Sequence, residues 1–417
     1  MHTYVQDNTN QSKRANETAA SVMFWFWFFM QARIIVDYVF FYDNAQYATL
    51  LNGLVSLSFA ALVIVLGITG GAPMIAFRWS PAAKLFLAFL LWSGITILWT
   101  RANSPSIAFA YWAEIALEVF VVLILLRADG IQQIGEACLR GFVFGSALIA
   151  MTLVCFNPEA EVRGGLGDTE HLHPNFVAPF LALGSLFALH LGFEQKCNPG
   201  RRRTWWLLAT FLFIILLRTL SKTTIVAFLL AAILYASNVQ LPRFTKIKIA
   251  CVLGAVLVAF FWSSWAYFGP VFYNDDNSTL SLTGRTLLWA ECWQKIQERP
   301  LVGYGFFSYR DYGPQQIHID RLTTAHNEWL MLWFQTGLIG IFLAAAIYMT
   351  LILGMRRALM RRPSWLPGKL ALAVLAYALV LGTTEASMTD LVISLPLLLT
   401  VYAWALSSYD CRSPMPA

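Results

Sequence analysis

The chain has 417 residues, of which 58% are hydrophobic and 12% charged, with a formal net charge of +6. A soluble domain carries about 25% charged residues, so this composition excludes an ordinary soluble protein and points to a membrane body. The positive surplus lies mostly in short loops between apolar runs, where it reads as membrane topology and not as a nucleic-acid surface.

Residues 1–20 are mostly polar and lead into an aromatic run, SVMFWFWFF, from Ser21. No small-residue cleavage site follows closely, so the run reads as a retained membrane helix and not as a signal peptide. About twelve runs long enough to cross a ~30 Å hydrocarbon core succeed one another. Their expected limits are 22–41, 46–69, 82–99, 107–127, 131–155, 174–193, 204–219, 222–238, 247–267, 326–354, 368–387 and 390–408. The expected architecture is one all-α polytopic membrane domain over 1–417. Two loops are long, 156–173 and 268–325. The six cysteines show no paired spacing, so neither a disulfide framework nor a zinc site is expected.

Charge sorts the loops. Lys196 and Arg201–Arg203, then Arg243, Lys246 and Lys248, then Arg356, Arg357, Arg361, Arg362 and Lys369 all join an even-numbered span to the next odd one. The positive-inside rule makes these loops cytoplasmic, and both termini with them. The two long loops then share the outer face, where charge is not explained by topology and function is expected.

Within 268–325, the segment TGRTLLWAECWQKIQERP reads as an amphipathic helix capped by Thr283 and ended by Pro300. Leu287, Leu288, Cys292 and Ile296 share one face, and Trp289 and Trp293 are spaced as interfacial anchors. Arg285 stands in the first turn, against the helix dipole. Either it is solvated, or it and the helix N-terminus hold an anion. Further charges belong to the same face: Arg218 and Lys222 in RTLSK, Arg163 in the other long loop, and Asp390 in SMTDLV. The cations either snorkel to headgroups or together form a basic cavity for a lipid-linked phosphate or pyrophosphate. His326, in AHNEWL at the mouth of the tenth span, is either a hydrogen-bonded interfacial histidine or a proton acceptor. Two acidic groups leave the metal question open. Asp275-Asp276 fits a turn or a carboxylate pair. Asp168, Glu170, His171 and His173 are ligand types without fixed metal spacing.

TGRTLLW (283–289), PLVGYG (300–305) and AHNEWLMLWFQTGLIG (325–340) resemble the signature of the O-antigen ligase and polymerase-related family. RGGLGDTEHLHPNFVA (163–178) and LSKTTIVAFLLA (220–231) resemble further segments of it, the latter with lysine where arginine is usual. The resemblance implies a GT-C-like membrane glycosyltransferase of twelve helices in the bacterial inner membrane, with a periplasmic active site. As a ligase it moves a glycan from undecaprenyl pyrophosphate to the lipid A–core oligosaccharide, without metal or other cofactor. Carried over, His326 is the general base, Arg285 and Lys222 bind pyrophosphate, and Arg163 and Asp390 match other polar positions. Lysine is a point charge and not a fork, and Arg218, one turn away, compensates for it. The same resemblance leaves room for a polymerase or a protein O-glycosyltransferase. From a different class, a lipid-linked sugar flippase predicts charges at the bilayer midplane and inverted repeats.

Overall fold

The computed structural model describes residues 2–41, 45–69, 80–127, 130–156, 166, 172–194, 198–238, 285–313, 324–386, 391 and 393–410. Among them the structure is helical, without strands: α1 His2–Phe40, α2 Ala45–Thr69, α3 Pro81–Ile95, α4 Pro105–Leu125, α5 Ile131–Phe156, α6 Pro174–Glu194 and α7 Pro199–Arg218. There follow α8 Lys222–Asn238, α9 Arg285–Glu298, the single turn α10 Tyr309–Tyr312, α11 Glu328–Arg361, α12 Leu366–Leu381 and α13 Leu395–Asp410. Seven of these, α1–α6 and α11, are long and apolar enough to cross a membrane, and α8, α12 and α13 are shorter apolar helices. The chain is thus an all-α polytopic membrane protein. The ninth expected span, 247–267, lies outside the described residues, as do Thr283, Asp275 and Asp276.

Local chemistry sets several helix starts. Ser80, Ser104 and Asn198 each precede a proline and accept the backbone N–H three residues on. The proline supplies a preset φ where no intrahelical N–H bond is needed. Lipid offers little hydrophobic drive for helix association, so close backbone approach and interhelical hydrogen bonds matter more. Gly141 and Gly145, four apart on α5, let α1 pack closely. A Cβ at Gly141 would strike the Phe24 carbonyl, and one at Gly145 would lie 3.0 Å from Gln31. The Gln31 amide then donates to the Phe142 carbonyl at 2.9 Å and accepts from Ser146 Oγ at 2.8 Å. Arg33 on α1 pairs with Glu114 and Glu118 on α4, which joins the first helices by charge.

Contacts between helix ends establish which loops share a face. At one end, the α6 and α8 C-terminal turns meet through His190 Nδ1 and Tyr235 Oη, 2.8 Å apart. The His190 ring also abuts Trp404 of α13, while Trp365, before α12, donates to Ser408. At the other end, Ser221, before α8, donates to Asn175 at the start of α6, and the Glu328 N–H of α11 donates to the Gly382 carbonyl after α12. The N-termini of α6, α8 and α11 and the C-terminus of α12 therefore share one end of the bundle.

The expected tenth span is not continuous. Within α11, Gly337 takes φ 68°, ψ −171°, which interrupts the helix. The PLVGYG loop fills the break. Tyr304 and Gly305 donate backbone N–H bonds to the Phe334 and Gln335 carbonyls at 2.8 Å each, and Leu338 donates to the Pro300 carbonyl at 2.9 Å. The Trp92 indole takes the Thr336 carbonyl at 2.8 Å. A broken helix at membrane depth survives only when its freed backbone groups are satisfied within the protein. Thr96 and Thr100, around the 3₁₀ turn Thr96–Trp99, clamp the loop through the Phe306 N–H and carbonyl.

Candidate functional site

α9 does not lie alone on a surface. Its apolar stripe, Leu288, Cys292 and Ile296, is buried, and the latter two pack with Tyr304, Tyr309, Ala325, Met331 and Phe334. Burial pushes the Cys292 thiol up to about 12. Trp293 stacks edge-on with Trp333 and stays 41% exposed, as an interfacial anchor does. Trp289 departs from that expectation: its indole donates to the Ala325 carbonyl at 2.9 Å, one residue before His326. Docking α9 against the entry of α11 brings Arg285 and His326 to one site.

The floor of the site is the turn after α12, Gly382-Thr383-Thr384-Glu385. Each residue of this turn is taken by a partner across the site. Glu328 N–H donates to the Gly382 carbonyl at 2.8 Å, and Asn327 Nδ2 to the Thr383 carbonyl at 3.1 Å. Arg285 donates to the Thr384 carbonyl at 2.6 Å and to Glu385 Oε1 at 3.2 Å. The other carboxylate oxygen, Glu385 Oε2, lies 3.1 Å from His326 Nδ1. Asn327 also caps α11, accepting from the Leu330 N–H at 3.1 Å. The Glu328 carboxylate is buried and accepts from Tyr348 Oη at 3.2 Å. All three members of the central constellation remain partly open, with side-chain exposures of 18% for Arg285, 21% for His326 and 12% for Glu385.

A carboxylate at Nδ1 places the ring proton on that nitrogen and leaves the Nε2 lone pair for a reacting group. The sequence placed Arg163, Arg218, Lys222, Arg285 and Asp390 on the face of His326; the structure adds Glu385, an acid that faces both the histidine and the arginine. Glu385 escaped notice because the expected eleventh span ran to 387. α12 ends at Leu381, and an acid four residues beyond an apolar run was the available signal.

Lys222 and Arg218 stand in a second group at the same end. Lys222 opens α8 and Arg218 closes α7, and both side chains are exposed. The Arg218 carbonyl accepts from the Leu166 N–H at 2.9 Å, which brings the first long loop to this turn. Asn175 of the His-Pro-Asn segment joins it through Ser221, 3.0 Å away, and takes its own N–H to His173 Nδ1 at 3.2 Å. α8 packs along α12, so the two groups stand on neighbouring helices. Arg163 and Asp390 lie outside the described residues, as do Asp168, Glu170 and His171.

Residues 207–345 match the family model described as O-antigen ligase. That stretch contains Arg218, Lys222, Arg285 and His326, and ends before Glu385. The chain is also 24% identical over 305 residues to the exopolysaccharide production protein ExoQ of Rhizobium meliloti (strain 1021). The match covers 66% of this chain and 65% of that protein, a little under two thirds of the relative's length. Over residues 207–345, the chain is thus similar to the O-antigen ligase family.

Proposed function

We propose that the chain is an O-antigen ligase of the bacterial inner membrane. It transfers a glycan from undecaprenyl pyrophosphate to a hydroxyl of lipid A–core oligosaccharide, on the periplasmic face, with both termini in the cytoplasm. The observation that carries this reading is the Arg285–Glu385–His326 constellation at a partly open end of the bundle. His326 Nε2 takes the proton of the acceptor hydroxyl. The freed oxygen attacks the anomeric carbon, and the bond from that carbon to the pyrophosphate oxygen breaks on the opposite face, inverting the centre. The electron pair leaves on the pyrophosphate. Arg285, which retains donors beyond the two used on Thr384 and Glu385, stabilises the growing charge. Lys222 and Arg218 supply further positive charge on the neighbouring helices. The scheme needs no divalent metal, so transfer is expected to survive excess chelator.

The similarity to a Rhizobium meliloti protein of exopolysaccharide production favours a second acceptor, a growing lipid-linked glycan. Purified protein given a lipid-linked glycan with either acceptor separates the two readings. A histidine acting as base contributes about 10²–10⁴-fold, so His326→Ala is expected to lose that much transfer at normal membrane yield. Undiminished transfer by that variant would refute the assignment.

A further inference from the structure

We propose that Glu385 is a shared positioning carboxylate that couples occupation of Arg285 by a pyrophosphate to the proton affinity of His326. The inference rests on the donor-site reading above and adds a regulation to it: the base is switched on by the bound donor.

The geometry is a three-member relay. One carboxylate oxygen of Glu385 faces Arg285 at 3.2 Å and the other faces His326 Nδ1 at 3.1 Å. The negative charge is therefore divided between a permanent cation and an imidazole ring. Arg285 holds the turn more closely through the Thr384 carbonyl, at 2.6 Å, than through the carboxylate. A pyrophosphate drawing on the guanidinium replaces the longer contact first, and the backbone contact keeps the arginine in place. Glu385 then loses its cationic neighbour and gives more of its charge to the Nδ1–H of His326. Nε2 becomes the stronger proton acceptor, and it does so when the leaving group is bound.

Other charges near the relay are accounted for. Tyr377 on α12 lies within electrostatic reach of Glu385, and its hydroxyl has no hydrogen-bond partner among the described residues. Glu328 on α11 accepts from Tyr348 and lies against Gly382, with no ion pair among the described residues to Arg285 or His326. Lys222 and Arg218 stand at the same end on α8 and α7. A pyrophosphate also acts on His326 directly through space, and removing the Glu385 charge separates that contribution from the relay.

The test is the titration of His326 in purified full-length protein. The protein carries ¹³Cε1-labelled histidine, with the signal assigned by its loss in His326→Gln. It is titrated with and without saturating farnesyl pyrophosphate, whose affinity is measured separately. In wild type the midpoint is expected to rise by about one pH unit on binding, the scale of a nearby charge change. In Glu385→Gln the rise is expected to fall below half of that, with farnesyl pyrophosphate still bound. Glu385→Asp, too short to reach both partners, gives the same reduction if the glutamine variant does not fold. An equal rise in wild type and variants, or no rise in wild type at saturation, overturns the relay and leaves the donor site standing. Failure of wild type to bind farnesyl pyrophosphate overturns both.

Discussion

His326 adopts a φ of +47°, in the left-handed region, where a residue with a Cβ pays about 1–2 kcal/mol. The conformation is held on both sides, by Trp289 on the Ala325 carbonyl and by the Asn327 cap, so the strain fixes where the ring points. Cys292 packs in the same apolar cluster as Ala325, the residue before His326, and its chemistry tests whether α9 is docked as described. Burial raises the thiol from about 9 to about 12, so its thiolate is scarce at neutral pH. With Cys292 as the sole cysteine, maleimide labelling at pH 7.5 is expected to be slow in the folded protein and rapid after denaturation. The sign for stability follows. The folded group titrates higher than the unfolded one, so its contribution is intact below pH 9 and is lost as the pH rises from 9 toward 12. Rapid labelling of the folded protein would place Cys292 on the surface instead. Arg285 and His326 were legible in the sequence because each is polar where topology gives it no reason to be. Glu385 was not, because one acid at the edge of an apolar run looks like a frayed helix end until the arginine and histidine are seen on its two oxygens.

At the scale of elements, most helices were legible from apolar length, and α9 from the spacing of Leu288, Cys292 and Ile296. The break in α11 was not. FQTGLIG reads as a continuous span, since one glycine in an apolar run is compatible with a helix, and only the loop partner distant in sequence reveals the interruption. Gly337 is therefore the position to test. A Cβ there would strike the Leu301 carbonyl, and φ 68° disfavours any L side chain. Gly337→Ala is expected to destabilise the protein by at least about 1–2 kcal/mol and to loosen PLVGYG, with transfer falling alongside. Gly53, in α2, has nothing within 4 Å of an added Cβ, so Gly53→Ala is expected to be neutral or to stabilise by up to about 1 kcal/mol. Thermal unfolding of both variants in the same detergent decides the matter. Equal midpoints would mean that the break carries no special constraint.

Across the whole molecule, charge is placed unevenly. One end carries Arg201–Arg203 before the body of α7 and Arg356–Arg362 at the close of α11, while the other gathers Arg218, Lys222, Arg285, His326 and Glu385. Arg33 with Glu114 and Glu118 is a separate matter. Removing one member of this partly buried group leaves its partners without their counter-charge, so it ties α1 to α4 within the membrane body. The proposed orientation follows the positive-inside rule: in it the arginine-rich loops face the cytoplasm and the constellation faces out. Thr383 and Ser237 mark the two ends, both exposed, the first in the turn below Arg285 and the second in the last turn of α8. In a background with the six native cysteines replaced, Thr383→Cys is expected to react with a membrane-impermeant maleimide applied to the periplasmic side of spheroplasts. Ser237→Cys is expected to react only after the membrane is opened. The reverse pattern would put the constellation in the cytoplasm and remove the periplasmic acceptor from the proposed reaction. Labelling of both from one side would contradict the helix-end contacts that separate them, His190 with Tyr235 at one end and Glu328 with Gly382 at the other.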